Sequence, residues 1–409
     1  MSEPTPQLNV PREAAWGPTF DVARATDAYI ATVPAADREK SDAYFEGGYW
    51  IEFWATLITV ALCGLLLHFR FTARLRDWAA SRGRGPWLQS LVVAIGFMAV
   101  LSILFLPWSA YTEYFREHQY GMSNQSLGAY LREWAINSAI YSAFIGFAIA
   151  GIYRLVRRVR ERWIWWASGV TALFMLFVIM VEPVFIAPIF NDYKPLPPGE
   201  VRNSILTLAH ETKIPVDDVY WFDASKQTKR ISANVSGLAG TTRIALNDNL
   251  LDGASLPEIR AVMGHEMGHY RLHHGLWLTL GFTIALSIGY FVVNRVFGRI
   301  QRRRGERWGV RDLADPAGVP LAMAILMIVL YLLTPVTNTM IRTAENQADA
   351  FGLDAAREPY GFASVAMRLS NYRKLEPGSL EEIIFYDHPS GRARVERAMR
   401  WLKEHPPAQ

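Results

Sequence analysis

The chain has 409 residues, of which 51% are hydrophobic, with 14 Trp, a single Cys and a formal net charge of +4. One cysteine excludes a disulfide framework and a cysteine-based zinc site, so any metal must be held by histidines and carboxylates. The charge is too small, and its basic residues too closely tied to the ends of apolar runs, for a nucleic-acid binder.

Residues 1–49 form a polar, acidic extension without a basic-then-apolar leader, so no cleaved signal peptide is expected. Four apolar runs follow, at 50–69, 87–108, 135–153 and 163–181, and two more lie at 275–293 and 319–341. Each is near the roughly 20 residues that cross a bilayer as a helix. Trp50, Trp87, Trp108, Trp163 and Trp277 stand near their ends, as interfacial anchors do. Glu52 near the start of the first run, and Pro335 with Thr337 and Thr339 in the last, weaken those two. The expected organisation is four membrane helices over 50–190, the first part of a polar domain over 191–274, a membrane hairpin over 275–341 and the rest of that domain over 342–409.

Three connections are rich in arginine: Arg70 to Arg84, Arg154 to Arg162 and Arg295 to Arg311. With six crossings they share one side, which the excess of positive charge makes cytoplasmic. The N-terminus and the polar domain are then expected on the other side. Within that domain, 200–212 reads as an amphipathic helix and 219–222 and 243–246 as short strands. A third strand is expected over 230–238, before Gly240.

The chemistry centres on Gly264-His265-Glu266-Met267-Gly268-His269, an H-E-x-x-H sequence. On a helix His265 and His269 share a face and can converge on one metal ion, with Glu266 beside them as a general base. Ser255 and Glu258 make a capping box at the start of that helix. A third protein ligand is required. The final histidine of H-E-x-x-H-x-x-G-x-x-H is missing, because Gly275 stands there and Leu272 replaces the glycine. Glu345 is the candidate instead, on a polar helix expected to begin at Ala344, with Asp349 one turn on, placed to accept the free N–H of a bound histidine. A solvated surface carboxylate is the plain alternative for Glu345. His273 could replace His269 as a ligand or be a satisfied polar residue. His274 is expected on the opposite face, in a structural role. His388 and Arg394, in the segment Tyr386 to Arg394, could support an oxyanion or simply lead into a helix over 392–402.

These blocks, in this order, resemble the type I CAAX prenyl proteases, a family of integral-membrane zinc metalloproteases. The likeness rests on the loop Tyr120 to Gly128, the junction Ile186 to Asn191 with Pro195 to Glu200, the H-E-x-x-H, the E-N-Q-A-D of Glu345 to Asp349, and His388-Pro389 with Arg394. It implies a mainly α, polytopic membrane protein: a helical transmembrane barrel enclosing a chamber, capped by a zincin-like α+β metalloprotease domain. It implies one Zn²⁺ per chain on His265, His269 and Glu345, with Glu266 as base and Asp349 behind a ligand. It puts His388 and Arg394 around the metal, where they stabilise the transition state. Ser232, Ala233 and Asn234 fall where the family pairs an edge strand with the substrate backbone. The expected partners are a peptide or protein substrate, with or without a lipid, and the bilayer; a monomer and no nucleic acid are expected. Eukaryotic members carry one more span and a cytosolic site, whereas the arginine count here places the site on the non-cytoplasmic face. Two other readings stay open: an intramembrane protease of the site-2 class, and a non-enzymatic membrane protein with a structural metal.

Overall fold

All six apolar runs fold as helix in the computed structural model, which describes residues 6–237 and 242–407. In the first half these are α1 (Val22–Ala31), α2 (Ala35–His68), α3 (Phe71–Ser81), α4 (Pro86–Ser109), α5 (Leu127–Val159) and α6 (Trp163–Val181). α2 starts well ahead of Trp50, because Pro34 at its N-cap and Asp37 in its first turn launch it from the polar segment. The polar domain opens with β1 (Tyr193–Pro195), α7 (Glu200–Glu211), β2 (Val219–Phe222), β3 (Ala233–Ser236), β4 (Arg243–Asn247) and α8 (Leu256–Arg271). Then come the long α9 (His274–Trp308), α10 (Val319–Leu332), α11 (Thr334–Ala356), α12 (Pro359–Leu369), α13 (Ser379–Phe385) and α14 (Gly391–Glu404).

Four stretches are long and apolar enough to cross a bilayer: Ala35–His68, Pro86–Gln119, Leu127–Phe190 and His274–Trp308. A bent pair, Pro316–Leu332 with Thr334–Ala356, makes a fifth. Leu127–Phe190 is two crossings, because Arg160 (φ 45°) breaks it. Phe144 and Phe177, nearly equidistant from that break, stack with ring centroids 6.4 Å apart, so α5 and α6 run antiparallel. Six helices then close a ring. Phe53 of α2 meets Tyr331 of α10 at 6.1 Å. Cys63 and Leu66 of α2 pack with Phe97 and Leu101 of α4. Ser102 of α4 bonds Ser138 of α5 at 2.7 Å, and Ser168 of α6 bonds Ser287 of α9 at 2.6 Å. Gly289 of α9 leaves room for Leu326 of α10. A cavity of about 540 Å³ lies between α2, α4 and α5, with Glu113, Glu133, Asn137 and Ser138 among Met98, Leu101, Phe105 and Trp134 in its lining. The closed ring is the helical barrel that the family resemblance implies.

The arginine-rich connections meet at one end of the ring. Arg70 donates to the carbonyls of Glu306 and Arg307, Arg76 to that of Gly309 and to the Asp315 carboxylate, and Arg157 to Ser90. The polar domain covers the other end. Its sheet has the order β1-β2-β4-β3, with β2 and β4 parallel and the other pairs antiparallel. Ile205 and Leu208 of α7, Ile244 and Leu246 of β4, and Ile259, Met263 and Met267 of α8 form its core. A second core brings the N-terminal segment into the fold: Tyr29 and Ile30 of α1 pack with Phe362, Val395 and Met399.

Two expectations need correction. The last apolar run is not one helix, since α10 stops at Leu332 and α11 restarts at Thr334 with a 55° bend. Pro335 is harmless there, because a first-turn proline lacks only an N–H that would be unpaired anyway. Glu345 therefore lies in the middle of a helix that begins at Thr334, not at the start of one beginning at Ala344. The third strand is shorter than 230–238, covering Ala233–Ser236; Leu238 and Gly240 lie outside the described residues.

The start of α8 is unusually well secured. Glu258, wholly buried, accepts from the Ser255 amide and hydroxyl at 2.7 Å each, from Ser364 at 2.7 Å and from Arg368 at 2.6 Å. Burial alone would raise its pKa, but Arg368, Ser364 and Ser255 outweigh it and hold the carboxyl below the usual glutamate range. A depressed folded-state pKa gives stability that is present above the unfolded value and lost as pH falls through the folded one. We therefore expect Glu258→Ala to cost about 2–4 kcal/mol at pH 7, with the gap in Tm from the parent narrowing below about pH 4.5. A gap that widens in acid would refute this role for Glu258.

Candidate metal centre

Helix α8 presents two small residues one turn apart, Gly264 and Gly268, toward α11, which answers with Ala348 and Gly352. A Cβ on Gly264 would lie 2.9 Å from the Gly352 carbonyl oxygen, and one on Gly352 would lie 2.7 Å from the His265 amide nitrogen. Backbone-to-backbone approach of this kind is what small residues permit. It brings Glu345, on α11, within reach of both histidines of α8.

The three groups converge. His265 Nε2 and His269 Nε2 are 3.0 Å apart, and each is 3.3 Å from a Glu345 carboxylate oxygen. Tetrahedral zinc with bonds near 2.0–2.2 Å spaces its ligand atoms about 3.3 Å apart, so this donor set fits such an ion. The histidine tautomers fit as well. His265 Nδ1 lies 2.8 Å from Asp349 Oδ1, and a proton on that Nδ1 leaves the Nε2 lone pair facing the cluster. His269 Nδ1 lies 3.0 Å from His274 Nδ1, whose Nε2 lies 3.0 Å from Gln347 Oε1. A proton on His269 Nδ1 and another on His274 Nε2 satisfy both contacts and again free the Nε2 of His269.

His274 thus backs His269, which the sequence reading did not foresee. That reading extended α8 in register through His274. Instead His273 takes a left-handed conformation (φ 55°), ends the motif helix and turns His274 back toward the site. His273 is not among the converging groups. Gln347 was also missed, although it lies two residues after Glu345.

A cavity of about 180 Å³ opens on the cluster. Glu266 lines it and has no hydrogen-bond partner among the described residues. Burial raises its pKa against the opposing pull of His265 and His269. Burial would lower the pKa of His265, but the neighbouring carboxylates of Asp349 and Glu345 push it up to about 9. His388 Nε2 is 3.2 Å from Glu345 Oε2, and its Nδ1 is 2.8 Å from Asp387 Oδ1. Arg394 reaches the carboxylates from behind, with Nη2 3.1 Å from Glu345 Oε2 and Nε 3.0 Å from Asp349 Oδ2. Arg397 adds a contact to Asp349 at 3.4 Å. Burial would raise the pKa of Asp349, but Arg394, His265 and Arg397 outweigh it and hold the carboxyl below the usual aspartate range.

Ser232 and Ala233 line the same cavity. Ser232 precedes β3, its amide donating to Asn247 Oδ1 at 3.0 Å. Ala233 and Asn234 lie in β3, opposite Leu246 and Ala245 of β4. β3 is an edge strand, and its outer side carries no strand partner among the described residues.

With this geometry in hand, comparison with known sequences is decisive. The pattern of peptidase family M48 matches residues 195–402. The chain belongs to this family. The pattern of the CAAX prenyl protease N-terminal region, described as five membrane helices, matches residues 23–192. Four ring helices lie in that range here, beside the 11-residue α3, which is too short to cross. An uncharacterized metalloprotease of Bacillus subtilis, YhfN, is 28% identical over 342 residues, 82% of this chain and 79% of that protein. CAAX prenyl protease 1 of Saccharomyces cerevisiae is 31% identical over 180 residues, 42% of this chain and 39% of that protein. The human CAAX prenyl protease 1 homolog is 26% identical, the match covering 53% of this chain and 46% of that protein. The match therefore spans less than half the length of those two relatives. The crystal structure of S. mikatae Ste24p shares the fold, with a TM-score of 0.72 at 21% identity over 90% of this chain and 89% of that one. The M48 protein described here is thus a multi-pass membrane metalloprotease that acts on peptide bonds.

Proposed function

We propose that this M48 protease is a zinc endopeptidase, one zinc per chain on His265, His269 and Glu345, that cleaves CAAX-type C-terminal peptides. The convergence of those three donors beside an unpartnered Glu266 carries the reading. Bound there, zinc would acidify water and polarise a peptide carbonyl. Glu266 takes the proton of the attacking water and returns it to the leaving amine. Asp349 and His274 hold the two histidine ligands in orientation. His388, anchored by Asp387, faces the position of the developing oxyanion, with Arg394 steadying Glu345 and Asp349 behind it. An extended peptide adds to the free edge of β3 at Ser232, Ala233 and Asn234 through main-chain hydrogen bonds.

The location of α8 favours this over an intramembrane protease: the motif helix packs under the four-stranded sheet, outside the ring of spans. The lone carboxylate of Glu266 favours it over a structural metal. The test is cleavage of an S-farnesylated Cys-Val-Ile-Met peptide by detergent-purified protein. We expect release of the last three residues, loss of activity with 1,10-phenanthroline, and recovery with substoichiometric zinc. Activity that survives full metal removal would refute the reading.

The three arginine-rich connections lie at the end of the ring away from the metal centre, so we also propose a non-cytoplasmic active site. In a Cys63→Ala background, an impermeant thiol reagent should label Lys226→Cys in intact cells and not Arg303→Cys. Labelling of Arg303→Cys alone would invert the topology.

A further inference from the structure

The charged side chains that line the cavity beside the metal centre are nearly all spoken for. His265, His269, Glu345, Asp349 and Arg394 hold one another, and His388 holds Asp387. Glu266 is the proposed base. Arg373, which follows α12 and lines the same cavity, donates no hydrogen bond and makes no ion pair among the described residues. Its nearest aromatic, Tyr372, is 6.0 Å from the guanidinium carbon, at the limit of any cation–π attraction. Arg230, whose guanidinium also lies near the Tyr372 ring, is paired with Glu117 at 2.9 Å. Burial and, after it, the charge of Arg394 lower the pKa of Arg373 against the smaller opposing pull of Tyr372, Asp387 and Glu345, so the guanidinium stands desolvated and without a hydrogen-bonded anion among the described residues.

The chemistry of an anion that fits there follows from the cavity that Arg373 shares with the metal cluster. Val262, Phe362, Val365 and Leu369 give that cavity an apolar side. A ligand reaching from the cluster to Arg373 thus offers an aliphatic side chain first and a negative charge beyond it. A planar guanidinium with free donors suits a carboxylate in two-point contact.

We infer that Arg373 reads the free α-carboxylate of a substrate whose chain ends a few residues beyond the scissile bond, the apolar wall taking a side chain in between. The inference rests on the peptidase reading and assigns the residue that sets its specificity for a chain end. An internal or amidated peptide would leave Arg373 desolvated and unpaired, which disfavours it.

The test compares the S-farnesylated Cys-Val-Ile-Met peptide as free acid and as C-terminal amide. The parent should prefer the acid in kcat/KM by at least about tenfold, the scale of a charge-assisted hydrogen bond. In Arg373→Gln the acid-to-amide ratio should collapse to about one, with metal content unchanged. Arg373→Lys, which keeps the charge but not the fork, should give an intermediate ratio. A parent that cleaves both alike overturns the inference and leaves the peptidase standing. A parent that cleaves neither sinks both. A ratio preserved in Arg373→Gln while both rates fall together would assign Arg373 to the oxyanion instead.

Discussion

Glu266→Gln should retain its metal and lose peptide hydrolysis by a factor of about 10²–10⁴, the usual contribution of a positioned general base. Every other carboxylate lining that cavity is engaged: Glu345 by two histidines and Arg394, Asp349 by His265, Arg394 and Arg397. Glu266 has no hydrogen-bond or ion-pair partner among the described residues, and burial raises its pKa, which makes it a stronger base than an ordinary glutamate. A glutamine of the same shape keeps the helix and the cavity but cannot accept the proton. The loss should appear in kcat, with KM for the same peptide little changed. Zinc content measured on the same sample separates this outcome from loss of the metal. A variant that turns over normally would move the base elsewhere, and a variant that loses its metal would make Glu266 part of the ligand set.

How far the sequence alone reached depends on the range of the interaction that set each feature. The motif helix α8 was legible because its signals are local: a capping box at Ser255 and Glu258, and histidines four apart. The six spans were legible because apolar runs of that length, most with a tryptophan near an end, leave few other solutions in a bilayer, while their closure into a ring was implied only by the family resemblance. The break at Leu333 was not, since the apolar run carries on past it and a first-turn proline starts a helix as readily as it ends one. His274 was misread because one left-handed residue, His273, reverses the face it presents. The spacing Gly264, Gly268 against Ala348, Gly352 was in plain view and encodes the close helix contact that delivers Glu345. Its meaning depends on knowing that α8 and α11 are partners across a gap of some eighty residues. The packing of α1 on α14 is longer-range still, and nothing local in the N-terminal segment announces it.

Arg394→Ala is the substitution for which partner choice, invisible in the sequence, dictates the outcome. The sequence reading placed Arg394 at the oxyanion; its observed contacts place it between Glu345 and Asp349, the latter wholly buried. Removing the guanidinium leaves Glu345 to its histidines and Asp349 to His265 and the 3.4 Å contact of Arg397, two carboxylates under-neutralised in a low-dielectric interior. Breaking a buried pair in this way costs about 3–5 kcal/mol, several times a surface ion pair. Metal affinity should fall with it by about 10–100-fold, as is usual when the partners of ligating groups are lost. Arg394→Lys should recover only part of either, because an ammonium cannot reach both carboxylates with a fixed fork. The discriminating experiment is a double-mutant cycle with Asp349→Asn, read by Tm and by zinc retention. If Arg394 acts by neutralising that carboxylate, the double variant should be more stable than the sum of the two single losses implies. If it acts at the oxyanion, Arg394→Ala should hold its metal and its Tm and lose only kcat, and the two substitutions should add. A supporting role ties the arginine's effect to the metal centre as a unit, so the same substitution that weakens zinc binding must also lower the unfolding temperature.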